Sequence, residues 1–264
     1  MEIREQLLSW LSRDPSRGDF LEEHTEIVHD SLEANQRRLL TLFPSMAWDL
    51  CGADVLDVGC YHGMETVALS KLGARSVLGI DIRTDTEEFA DLKSRHVPGK
   101  EARVVTADIH ETGLPDGSFD AIVTISAYEH FRDPHQVSRE CWRLLRPGGR
   151  LYLTSGVWSS PWGSHMHFFT RVPWVQFIFP ERTVLKVRSR YRSDGAETYA
   201  EVEGGLNDIG VRTLRNSLEG SGFRIEHFHL NPVFGLTPLT RVPGLNEFFT
   251  NKIHAIARKQ PEGS

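Results

Sequence analysis

Between residues 53 and 155, five β-type runs alternate with helical patterns, and that alternation is the strongest constraint on how this chain can fold. The runs are Val55–Val58, Ser76–Ile80, Ala102–Ala107, Ala121–Ile125 and Arg150–Thr154. Parallel strands need long crossovers, and crossover helices cover both faces of the sheet, so the strands between them read as short apolar runs. The fourth crossover, from Pro134 to Leu145, places Val137, Cys141, Leu144 and Leu145 at helical spacing, and the Pro147-Gly148-Gly149 turn is expected to stop it.

The flanking segments follow the same logic. In residues 1–50, Leu7, Leu8 and Leu11, then Ile27, Leu32, Leu39, Leu40 and Leu42 predict two or three helices, interrupted by the polar stretch Ser12 to Gly18. A helix is expected over Asn207–Gly222, followed by strands over Phe223–Leu230 and Ile253–Ala257. We therefore expect a helical cap over 1–50 and one domain over 51–264, with insertions at 156–205 and 231–251. Insertions of such length are usually functional.

The chain has 264 residues and a formal net charge of −6, with 39% hydrophobic and 25% charged residues. That composition can fill a core, and it lacks the clustered basic excess that a phosphate backbone demands, so no nucleic-acid partner is expected. The basic run Arg182, Lys186, Arg188, Arg190 and Arg192 reads as a solvated face. Three cysteines without CxxC spacing suggest neither a disulfide framework nor a structural zinc site. With no apolar run of spanning length and a charged amino terminus, a cytoplasmic protein without a membrane partner is the expectation.

The first strand ends in Asp57-Val58-Gly59-Cys60-Tyr61-His62-Gly63 and runs into a helix. Asp81 ends the second run about 20 residues past this turn, where a carboxylate can accept both hydroxyls of a ribose. Asp108, followed by Ile109, ends the third. With Leu114-Pro115-Asp116-Gly117-Ser118-Phe119-Asp120 before the fourth run and Glu129-His130-Phe131 after it, residues 53–155 resemble a class I S-adenosylmethionine (SAM)-dependent methyltransferase of the small-molecule type. The resemblance implies an α/β fold: a doubly wound, mostly parallel seven-stranded sheet with a terminal antiparallel strand, N-terminal helices and a cap insertion after the fifth strand. It also implies SAM as cofactor, held by Asp57, Gly59, Tyr61, Gly63, Asp81, Ile82, Asp108, Ile109 and Ser126. Tyr61 departs from the family pattern, because the middle glycine normally stands there. Its side chain must point away or join the pocket wall.

Methyl transfer from a sulfonium needs alignment and a dry path, with a base if the acceptor is a hydroxyl or a protonated amine. In the family, the loop after the fourth strand faces the methyl group, which makes His130 the first catalytic candidate. His165 and His167 in the insertion are the second. Two His-x-His pairs, 165/167 and 227/229, invite a metal, yet no Cys or carboxylate spacing completes a site, and none is expected. Tyr128, Trp158, Trp162, Phe168 and Trp174 are candidates to touch the acceptor, with Val233, Phe234 and Leu236 opposite. The aromatic insertion could instead pack as a lid or form a homodimer interface.

The expected function is methyl transfer to oxygen or nitrogen, less readily carbon, of a small organic acceptor, such as a secondary metabolite. Rival readings are a SAM-binding protein without transferase activity, a protein or RNA methyltransferase, and a nicotinamide oxidoreductase, which would leave Asp108 unexplained.

Overall fold

A computed structural model describes residues 3–12, 31–163 and 165–261. Seven strands, β1 (Asp54–Val58), β2 (Ser76–Asp81), β3 (Glu101–Thr106), β4 (Phe119–Ile125), β5 (Leu145–Gly156), β6 (Phe223–Pro232) and β7 (Thr250–Lys259), form one sheet in the order 3-2-1-4-5-7-6. Strands β1 to β5 pair in parallel, and β7 runs antiparallel to both its neighbours, β5 and β6. This is the doubly wound, mostly parallel architecture expected from the alternation. The last strand in sequence is the antiparallel one, and it sits inside the sheet with β6 at the edge.

Among the described residues, the helices of eight or more residues are α1 (Ile3–Leu11), α2 (Leu32–Leu42), α3 (Met64–Lys71), α4 (Thr86–His96), α5 (Pro134–Leu144), α6 (Glu181–Arg188) and α7 (Val211–Gly220). Successive strand residues point to opposite faces, so Val55 and Leu56 enter different cores. Val55, Val77 and Val123 pack with Leu39, Val67, Phe89 and Leu92 of α2, α3 and α4. Leu56, Ile122 and Leu151 pack with Val137, Cys141, Leu214 and Leu218 of α5 and α7. Two crossover helices start at side-chain caps: Asp85 Oδ1 accepts from Glu88 N at 2.9 Å, and Asp133 Oδ1 from Gln136 N at 3.0 Å, with Pro134 in the first turn. Each cap stabilises its helix by about 1 kcal/mol.

A third core belongs to the insertion after β5, where Met166, Phe169, Val175, Val184 and Val187 cluster with Leu8 of α1. Lys186 Nζ donates to Glu5 Oε1 at 2.7 Å across the same contact. The amino-terminal segment is thus divided between two layers: α1 joins the insertion, whereas α2 covers the sheet. Ile27 lies outside the described residues.

Two sequence expectations need correction. The helix expected from Asn207 begins at Val211, and Asn207 is instead tied to the loop after β4, its Nδ2 donating to the carbonyls of Tyr128 and Phe131, each at 2.7 Å. Helix α5 stops at Leu144, before the Pro147-Gly148-Gly149 turn, and those three residues lie within β5 beside a register shift in the β4–β5 pairing.

Candidate functional site

In the sheet order, β1 has β2 on one side and β4 on the other, so the chain reverses direction across the sheet at the carboxyl ends of β1 and β4. A crevice opens at such a switch point. Here it is a cavity of about 950 Å³ whose walls include Gly59, Tyr61, Asp81, Ile82, Asp108, Ile109, Ser126 and His130. That volume lies at the upper end of the ~300–1,000 Å³ range of ligand pockets.

The turn after β1 is shaped by close approach. Gly59 has a φ of 82°, and a Cβ there would lie 2.5 Å from the Cβ of Ala127. Tyr61 also adopts left-handed backbone, with a φ of 41°. For a residue with a side chain this costs about 1–2 kcal/mol. The conformation turns its N–H onto Asp81 Oδ2 at 3.0 Å and leaves its ring, 53% exposed, on the cavity wall beside His62. Tyr61 thus stands among the residues that border the cavity, with its backbone N–H on Asp81.

The acids at the strand ends are set by backbone donors. Asp81 Oδ1 accepts from Arg83 N at 2.8 Å, and Asp108 Oδ1 from His110 N at 2.9 Å. A carboxylate so oriented retains lone pairs for a ligand's hydroxyls or amines. Between them Ile82 is 59% exposed, an apolar side chain at the cavity wall. Asp57 and Gly63 support from below. The carboxyl of Asp57 is buried, accepts from Thr66 Oγ1 at 2.7 Å and does not line the cavity. Burial pushes its pKa up to about 8, with the Glu65 charge adding to the effect and the Thr66 hydrogen bond opposing it. Gly63 caps α3 from a left-handed conformation.

Of the candidate catalytic histidines, His130 lines the cavity, which His110 and His135 also border. Its Nδ1 lies 2.5 Å from the Gly205 carbonyl, which can only accept, so Nδ1 carries a proton and donates. His165 stacks edge-on to His130 at 4.7 Å between ring centroids, bringing the insertion onto the loop after β4. The side chain of His167 lies outside the described residues. His227, His229 and His254 stack in a row along β6 and β7, away from the cavity, and burial drives the pKa of His254 down to about 4.

The aromatic candidates do not line this cavity. Tyr128 is fully buried, with its hydroxyl 3.0 Å from Ser138 Oγ. Trp158 packs on Tyr199, Phe168 on His165 and under Arg192, and Trp174 against Phe249. Trp162 meets Phe234 at 5.9 Å, joining the two insertions into one cap. Sequence reasoning had no handle on Ala127 or Asn207, which border the cavity from loops, or on Lys252, which reaches Ser126 from a distant strand.

A family model described as a methyltransferase domain matches residues 56–153, the stretch carrying β1 through most of β5. That span holds Asp57, Gly59, Asp81, Asp108, Ser126 and His130. Residues 56–153 are a class I methyltransferase domain. Over 119 residues the chain is 37% identical to a ubiquinone biosynthesis O-methyltransferase of Xanthomonas oryzae pv. oryzae. The match covers 43% of this chain and 47% of that protein, so the chain spans about half the length of the curated relatives it matches. The fold of the methyltransferase domain and its flanks is shared with an S-adenosylmethionine-dependent methyltransferase from Mesorhizobium loti, at 20% identity and a TM-score of 0.57, over 86% of this chain and all of that one. The cyclase SpnF superposes with a TM-score of 0.59 at 18% identity, over 87% of this chain and 82% of its own. Among the described residues no helix is long and apolar enough to cross a membrane.

Proposed function

We propose that the chain is a SAM-dependent methyltransferase that acts on a hydroxyl oxygen of a small organic acceptor. The observation that carries this reading is the pair of backbone-oriented carboxylates, Asp81 and Asp108, flanking the exposed Ile82 at the switch-point cavity. Two carboxylates and an apolar platform suit a ribose and an aminated flat ring, the chemistry of an adenosine. When bound, SAM supplies a sulfonium-activated methyl group. Asp81 accepts the ribose hydroxyls, Asp108 the exocyclic amine, and the Gly59 and Ser126 backbone borders the remaining end. His130 takes the acceptor's proton at Nε2 while its Nδ1–H stays on Gly205 O, and the cap around His165 excludes water. The oxygen assignment leans on the relatives named as O-methyltransferases, and a nitrogen acceptor would use the same base. We also place the protein in the cytoplasm, which cell fractionation tests.

Calorimetric titration with SAM, its demethylated product S-adenosylhomocysteine and NADH tests the cofactor. Asp81→Ala is expected to weaken binding of the first two by about 1.5–3 kcal/mol, the size of a hydrogen bond to a charged group. Failure of the folded protein to bind either, or preferential binding of NADH, would overturn the assignment. For the base, His130→Ala is expected to lower turnover about 100-fold with the affinity for S-adenosylhomocysteine unchanged. Undiminished turnover would remove His130 from that role.

A second reading, a SAM-binding protein with another activity, is favoured by the superposition on a cyclase of the same fold. Intact cofactor binding without methyl transfer to any screened phenol, alcohol or amine would support it.

A further inference from the structure

Because β7 runs against its neighbours, its first residues lie at the carboxyl ends of the parallel strands, where the cavity opens. Lys252, the third residue of β7, pairs with Gly156 at the end of β5. Its side chain reaches back across β5, and Nζ donates to Ser126 Oγ at 3.4 Å. Ser126 follows β4 directly, adopts left-handed backbone with a φ of 52°, and lines the cavity. Its strained conformation is held by two bonds from its own N–H, to the carbonyl and Oγ1 of Thr154 at 3.1 and 2.8 Å. An ammonium carries three donors, and one long bond to a hydroxyl satisfies little of that capacity.

The surrounding charges are Glu129, which favours the charged lysine, and Arg38 of α2, which opposes it and is itself paired with Glu65 at 2.7 Å. Desolvation, the largest influence, holds the lysine below its ordinary pKa. A lysine in such surroundings gains from an anion that brings its own charge and two acceptor oxygens. The buried carboxylate of Glu129 leaves Oε2 without a partner, an acceptor suited to an ammonium close to that anion.

We propose that Lys252, with Ser126 Oγ beside it, forms a carboxylate-binding subsite at the Gly59–Ser126 end of the cavity. This rests on the cofactor reading above. With the adenosine held between Asp81 and Asp108, the amino-acid end of the cofactor extends from β1 toward β4, which brings a carboxylate and an ammonium to Lys252 and Glu129. A carboxylate on the acceptor has the same chemistry.

Two ligands separate the sources. S-adenosylhomocysteine carries the amino-acid group, and 5′-methylthioadenosine lacks it. Lys252→Met is expected to weaken S-adenosylhomocysteine about 10-fold or more in calorimetry, with methylthioadenosine changed by less than about twofold, and Lys252→Arg to recover part of the loss. Unchanged methylthioadenosine binding also reports that the cavity of the variant is intact. If S-adenosylhomocysteine binding is unchanged, the acceptor source is read with 3,4-dihydroxybenzoate and its methyl ester on the protein saturated with S-adenosylhomocysteine. Loss of a preference for the acid in Lys252→Met assigns the subsite to the acceptor. The proposal is overturned if Lys252→Met alters neither measurement, or if it weakens both nucleosides equally. Failure of the unmodified protein to bind either nucleoside is a separate result that removes the cofactor reading and this subsite with it.

Discussion

Gly59→Val is expected to abolish detectable binding of S-adenosylhomocysteine and to destabilise the protein by about 3 kcal/mol. Two independent costs meet at this residue. The backbone sits at a φ of 82°, which a β-branched residue adopts only with strain, and the first added carbon would fall 2.5 Å from Ala127 Cβ. Neither wall can yield cheaply. Gly59 N is bonded to Ile80 O at 2.8 Å, and Ala127 leads into the turn that positions His130. Relief therefore requires moving the turn after β1 or the loop after β4, both of which border the cavity. Gly99→Ala separates the two costs, since Gly99 has a φ of 77° with open space around it. It is expected to lose about 1 kcal/mol in urea denaturation and to keep full affinity. Equal stability and binding for Gly59→Val and the unmodified protein would show that the close approach at Ala127 carries no weight.

The contribution of Asp57 to the stability of the protein without added ligand is expected to fall as pH rises from about 4 to about 8, and Asp57→Asn to remove that contribution. The carboxyl of Asp57 has its pKa raised from 3.8 to about 8 in the folded chain, chiefly by burial, with Glu65 adding to it. Below the unfolded value both states hold the proton. Between the two values the folded state holds it and the unfolded state does not, so each rise in pH favours unfolding by up to about 1.4 kcal/mol per unit. Above about 8 both states are ionised and the loss is complete, at several kcal/mol for this one group. Urea titrations from pH 5 to pH 8.5 are expected to show Asp57→Asn gaining on the unmodified protein with each step. Parallel curves would mean that Asp57 is ionised in the fold at neutral pH.

Much of the fold could be read from local pattern. The five parallel strands follow the apolar runs, each extending beyond its expected core by a residue or more at one or both ends, except β3, which shifts by one residue. Asp81 is the last residue of β2, whose interior is buried, and Asp108 stands two residues past the more exposed β3, capping the turn that follows. Asp57 lies within β1, and its raised pKa is the consequence. The cavity walls Gly59, Tyr61, Ile82, Ile109, Ser126 and His130 all lie on these five strands or the turns that leave them, so spacing along the chain could locate them. The aromatic residues of the insertion could not be placed this way. Their composition suits a pocket, a lid or an interface equally, and the structure packs Trp158, Trp162, Phe168 and Trp174 among other cap residues, outside the cavity wall.

What the sequence by itself determined is the set of features written within a few residues: strand-helix alternation, the acids closing β2 and β3, the capped starts of α4 and α5, and the glycine turn after β1. Each depends on steric and hydrogen-bonding preferences between near neighbours, which a linear pattern records. Only the tertiary structure decided the contacts made between distant segments. Residue 252 reaches residue 126 because β7 inserts antiparallel between β5 and β6. Residue 207 clamps the loop at 128–131, and residue 5 meets residue 186. Such pairings are selected by the combined burial of whole strands and helices, a property of how layers fit together rather than of any one stretch of chain.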